Sequence, residues 1–82
     1  MKIKVARLYK LSGDKPLKAL VDISLDDKFI VKGLRVIEGK KGLFVSMPKE
    51  KGVDKRWYDT VTITDITTKK EIEKAILEVY AK

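Results

Sequence analysis

Residues 34–48, LRVIEGKKGLFVSMP, constrain the fold more than any other part of the chain. Leu34, Val36 and Ile37 precede a Gly39-Lys40-Lys41-Gly42 reversal, and Leu43, Phe44, Val45 and Met47 follow it before Pro48 stops the run. Two β-rich runs, parted by a few residues bracketed by glycine, predict a hairpin. The reversal puts Lys40 and Lys41 at an exposed tip, where no core can use them.

Further strands flank this hairpin. Leu17, Ala19, Val21, Ile23 and Leu25 alternate strictly with Lys18, Asp22 and Ser24, the pattern of a half-buried strand. Residues 3–11 alternate more loosely. Ile3, Val5, Tyr9 and Leu11 fall on one side and Ala6 and Leu8 on the other, with Arg7 interrupting the first set, which suits an edge strand. Asp26-Asp27-Lys28 turns the chain into Phe29-Ile30-Val31, and Gly33 marks a bulge before Leu34. After a polar loop over residues 49–55, Trp57, Asp59, Val61 and Ile63 alternate with Tyr58, Thr60 and Thr62 as a fifth strand. That alternation favours core packing for Trp57 over an exposed position.

The period then changes. Ile72, Ala75, Ile76, Val79 and Tyr80 follow the i, i+3, i+4, i+7, i+8 stripe of an amphipathic helix. Thr68-Lys69-Lys70-Glu71 matches a capping box at its start. An apolar helical stripe needs a surface to cover, and one face of the sheet supplies it. The expected architecture is a single α+β domain over residues 1–82: a five-stranded antiparallel meander with one C-terminal helix packed on it.

A chain of 82 residues buries roughly 60–65% of its unfolded surface, so its own core stabilises it only thinly. It has no cysteine for a disulfide and no His–Cys cluster for a structural metal. Small domains without such staples gain burial by oligomerising, and a homodimer is expected. The sheet's two edges and the helix are equally open as routes to it. No segment approaches the ~18–20 apolar residues of a membrane span, and MKIKVARLYKL lacks the apolar run and cleavage site of a signal peptide. A cytoplasmic location follows as the expectation.

The raw materials of catalysis are scarce. There is no histidine to titrate near neutrality and no cysteine nucleophile, and Ser12, Ser24 and Ser46 lie in no nucleophile-elbow pattern. Asp26, Asp27, Asp54 and Asp59 could serve a metal-dependent nuclease only by converging in space. Turn chemistry accounts for the Asp26–Asp27 pair more simply. We therefore expect no enzyme, no catalytic residue, no cofactor and no metal.

Nineteen Lys and Arg against twelve Asp and Glu leave a formal charge of +7, which favours polyanionic partners. Nucleic acid comes first among them, and an acidic membrane surface or an acidic protein second. Lys40 and Lys41 form one cluster. Lys49, Lys51, Lys55 and Arg56 form a second, broken by Glu50 and Asp54 and adjoined by Trp57 and Tyr58. Lys69, Lys70 and Lys74 form a third at the helix start, where the helix dipole disfavours cations unless Glu73 or Glu78 pairs with them. Binding residues gather on exposed loops, so the first two clusters are the candidate nucleic-acid contacts.

The run RVIEGKKGLFVSMP also resembles the signature of the stage V sporulation protein G (SpoVG) family. ARLYKL near the start, ALVDISLDDKFIVKGLRV in the middle and EIEKAILEVY at the end fall in that family's order, so the likeness spans almost the whole chain. The resemblance implies a small, dimeric, cytoplasmic bacterial regulator that binds DNA or RNA and acts in septation, sporulation and gene regulation. It further implies that the loop after FVSMP touches nucleic acid through Lys49, Lys51, Lys55 and Arg56. Glu50 stands where the family usually carries a basic residue, and Thr62-Ile63 replaces its usual His-Pro.

Overall fold

Four of the alternating runs pair in chain order. In the computed structural model, which describes residues 1–82, β1 (Ile3–Lys10), β2 (Leu17–Leu25), β3 (Phe29–Gly39) and β4 (Gly42–Ser46) form one antiparallel sheet ordered β1-β2-β3-β4. The Gly39–Gly42 hairpin is as expected: Gly39 pairs with Gly42 and Val36 with Val45. Gly42 takes a φ of 119°, so the glycine and not a lysine carries the left-handed residue of the turn. At the β2–β3 turn Asp26 and Asp27 adopt φ of 52° and 54°, a left-handed geometry that Asp tolerates better than most residues. Asp26 accepts the Lys2 backbone N–H at 2.6 Å, and Asp27 pairs with Lys2 at 3.1 Å and Lys4 at 3.5 Å. Both carboxylates are thus occupied in closing this end of the sheet.

Bulges decide which side chains share a face. The ladder between β1 and β2 passes from Val5↔Ile23 to Arg7↔Asp22, leaving Ala6 as an extra residue. Beyond it the alternation inverts. Leu8 therefore joins Ile3 and Val5 against the core, and Tyr9, which simple alternation placed with them, points to the other face. Gly33 is a bulge as its position implied. Lys32 and Gly33 together oppose Asp22, Gly33 takes a φ of 90°, and its N–H lies 3.4 Å from the Asp22 carboxylate.

The fifth strand departs from the expected meander. It spans only Trp57–Asp59 (β6) and pairs with Lys49–Lys51 (β5), within the stretch expected as a polar loop, to make a separate two-stranded ribbon. Trp57 is 58% exposed, so its expected core position is wrong. The physical reason is that strand geometry ends at Asp59. Val61 and Ile63 lie in irregular chain, and Ile63 reaches the core without carrying Trp57 with it.

Helix α1 (Ile66–Tyr80) closes the face formed by Ala19, Val21, Ile23, Leu34, Val36 and Val45, inserting Ile72 and Ile76 among them. Leu77 and Tyr80 extend the contact, and the helix packs against both β1 and β4. Its cap is Asp65, not Thr68. The Asp65 carboxylate accepts the Thr68 N–H at 3.1 Å and the Thr68 hydroxyl at 2.7 Å. Asp wins because the helix begins three residues earlier than the Thr68–Glu71 box implies. Lys69 and Lys70 consequently sit a full turn inside the helix, where the dipole penalty expected for them has faded. Neither helical Lys–Glu pair forms.

Ile76 is fully buried, so Ile76→Ala should cost about 2–5 kcal/mol by chemical denaturation. The cap gives a pH signature. Hydrogen bonds from the Thr68 hydroxyl and then the Thr68 N–H hold Asp65 below its ordinary 3.8. A lowered native pKa stabilises the fold above the unfolded value and loses that contribution as pH falls through the native one. Asp65→Asn should therefore flatten the acid limb of the melting profile, whereas Glu71→Ala should leave it unchanged.

Candidate nucleic-acid interface

Register on the ribbon sets the chemistry of its faces. Lys49 pairs with Asp59, Glu50 with Tyr58, and Lys51 with Trp57. Alternation then puts Lys49, Lys51, Trp57 and Asp59 on one side and Glu50 and Tyr58 on the other. Lys49 spends its charge on Asp59 at 3.9 Å. Lys51, Lys55 and Arg56 have no carboxylate within 4.0 Å.

The tip is held by its own side chains. Gly52 N–H donates to the Arg56 carbonyl at 2.8 Å and Lys55 N–H to the Gly52 carbonyl at 3.0 Å. Lys55 takes a φ of 68°, a strained position for a residue with a side chain. The Asp54 carboxylate accepts the Arg56 N–H at 3.1 Å and the Tyr58 hydroxyl. The Tyr58 ring lies over Gly52 so closely that a Cβ there would meet it at 2.8 Å, so any side chain at that position would have to displace the ring. Asp54 is therefore consumed within the turn, and Lys55 and Arg56 are left as the charges the tip presents.

The six candidate residues do not form one patch. Lys40 and Lys41 lie at the start of β4 and the ribbon follows its end, separated by a five-residue strand or about 17 Å. Lys49, Lys51, Lys55 and Arg56 do share the ribbon. Lys69, which the sequence placed only with the helix cluster, approaches the ribbon at Lys49 and Asp59 alone. It lines a groove of about 280 Å³ with Lys49, Asp59, Phe44, Val45 and Ser46 of β4 and Met47 just beyond it. No local pattern announces that neighbour, because it arises only when the helix start folds back against the ribbon.

Of the four aspartates that a metal-dependent nuclease requires, Asp26 and Asp27 lie on the β2–β3 turn, Asp54 on the ribbon turn and Asp59 at the ribbon's other end, and nowhere do three acidic, His or Cys side chains gather to hold a metal. No helix is long and apolar enough to cross a membrane.

The SpoVG family model matches residues 1–82. The chain is 44% identical over 80 residues to a Staphylococcus carnosus protein named as a septation protein SpoVG, covering 98% of this chain and 75% of that one. Proteins of the same name from Clostridium perfringens and Lachnospira eligens are 38% and 37% identical over 82 residues, covering all of this chain and 91% and 93% of theirs.

The ribbon clip should be visible by titration. The hydrogen bond from Tyr58 holds Asp54 below 3.8, and the same bond holds the Tyr58 proton above 10.0. The clip is complete between those limits, lost in acid as Asp54 protonates and lost in base as Tyr58 ionises. Asp54→Asn should lower the phenolate transition of Tyr58 toward 10.0, followed by ultraviolet titration against Tyr58→Phe as the blank.

Proposed function

The chain belongs to the SpoVG family, and from that premise we propose that it is a cytoplasmic bacterial regulator of septation that binds nucleic acid through its phosphates. The observation that carries this reading is the ribbon: Lys51, Lys55 and Arg56 stand free of carboxylates on a tip whose own acid is already bound to Tyr58. Contacts to phosphate fix position without reading sequence. The expected binding is thus weakly sequence-dependent and strongly salt-dependent.

The acting unit in this reading is a homodimer. The helix stripe is used internally, which leaves the open edges of β1 and β4 as the places for a second copy to pair. Pairing doubles the formal charge of +7 and sets two ribbons on one assembly. Light scattering behind size exclusion should give twice the 9.4 kDa chain mass.

Fluorescence anisotropy with labelled duplex DNA tests the binding. If one dimer neutralises about six phosphates, log K should fall with log salt with a slope of about −5. The combined variant Lys49→Ala, Lys51→Ala, Lys55→Ala and Arg56→Ala should weaken binding about tenfold or more while dimer mass and melting stay the same. Unchanged affinity would move the contact to Lys40 and Lys41. No binding even at low salt would overturn the reading in favour of an acidic protein partner.

A further inference from the structure

The sheet has two faces and one helix. On the face that α1 leaves open, the register sets Tyr9, Leu20, Arg35 and Ser46 in one row across all four strands. The next row carries Arg7 and Asp22 beside the Lys32–Gly33 bulge, and a flanking row carries Ile37 and Phe44. Tyr9 is 57% exposed, Phe44 45% and Leu20 41%. A shallow hollow of about 300 Å³ lies between Arg7, Tyr9, Leu20, Asp22 and Gly33.

Charge decides what such a face can receive. Arg7, Lys32 and Arg35 have no carboxylate within 4.0 Å, and the one acid among them, Asp22, already faces the Gly33 N–H. A second copy laid face to face would bring together two faces that each carry three cations against one acid. The complementary partner is a polyanion that also brings flat apolar surfaces. A duplex offers only phosphates, because its bases are stacked on one another. An unpaired strand offers both.

We infer that the open sheet face is a stacking platform for single-stranded nucleic acid, with Tyr9 as the principal ring and Arg7, Lys32 and Arg35 as phosphate partners. Tyr9 on β1 and Phe44 on β4 stand three strand spacings and one row apart, about 16 Å, which leaves room for more than one base. Rings on a flat sheet accept any base, so the platform binds without sequence preference. The inference rests on the nucleic-acid reading above but assigns it a second surface, which meets the ribbon groove at Phe44 and is centred away from it on Tyr9.

The test compares an oligo-dT strand, an oligo-U strand and a duplex by anisotropy, using wild type, Tyr9→Ala, Tyr9→Phe and the ribbon variant. Tyr9→Ala should weaken both single strands about five- to 150-fold and leave duplex affinity within about twofold. Tyr9→Phe, which keeps the ring, should restore the single-strand affinity. Photocrosslinking of wild type to an iodouracil strand should place the adduct on Tyr9, and this result stands even where Tyr9→Ala melts early. Wild-type single-strand affinity in Tyr9→Ala, or an adduct confined to Trp57, would overturn the platform and leave the ribbon reading standing. Dissociation of the dimer by Tyr9→Ala would overturn it too, by showing that a second copy covers the face. Full duplex binding by the ribbon variant removes the ribbon reading alone, and no binding of any probe by wild type removes both.

Discussion

One helix against one face of a four-stranded sheet is the contact on which the rest of this molecule depends. Ile72 and Ile76, one turn apart, close over a layer made by Ala19, Val21, Ile23, Leu34, Val36 and Val45, and no polar or charged side chain is buried with them. All the non-directional driving force is therefore concentrated in a single thin layer. Every charge on the chain is left on the outside, free to be placed by turn geometry without a desolvation cost. The same economy leaves the sheet's second face and both of its edges without a partner in the chain.

Turn chemistry then decides where the charge goes. Gly42 takes the left-handed residue of its turn and lets two lysines occupy the tip, whereas Asp26 and Asp27 take the left-handed positions of theirs and hold Lys2 and Lys4. Lys55 occupies a left-handed position without being glycine, Asn or Asp. The Asp54–Tyr58 clip and the Gly52 approach hold it there. A strained cation at the apex of a braced turn is a feature that packing alone does not call for.

Much of this was legible from residue order. The Gly39–Gly42 hairpin, the alternation of β2 from Ala19 to Leu25, the Gly33 bulge and the helical stripe at Ile72, Ile76 and Tyr80 are local patterns that survive folding, whereas a register shift sets Leu17 opposite Ile37 and Val79 stays exposed. The family was legible too, because its signature lies in those same segments. What escaped were events that need two segments at once. Alternation cannot show that Ala6 will be squeezed out of its ladder, so Leu8 and Tyr9 were assigned to the wrong faces. It cannot show that a strand ends at Asp59, so Trp57 was assigned to the core. The helix cap was misplaced for a different reason. Thr68 and Glu71 form a plausible box, but Asp65 lies upstream with a carboxylate that already takes both of the donors Thr68 offers. Of the candidate site, the ribbon lysines were found by composition, while Lys69 belongs to the groove only through tertiary approach.

The bulge at Ala6 has a meaning for chain length. Because Val5 and Arg7 pair with neighbouring residues Ile23 and Asp22, Ala6 lies outside the ladder, and a chain lacking it would keep every other pairing of β1 with β2. The loss of one codon there is absorbed, with Leu8 still inward and Tyr9 still outward. The same loss at Val21 would slip two ladders together, since β2 is bonded to β1 on one side and β3 on the other. Tolerance to single-residue deletion is thus distributed unevenly along this sheet, high at a surplus residue such as Ala6 and low at Val21, which is paired on both sides.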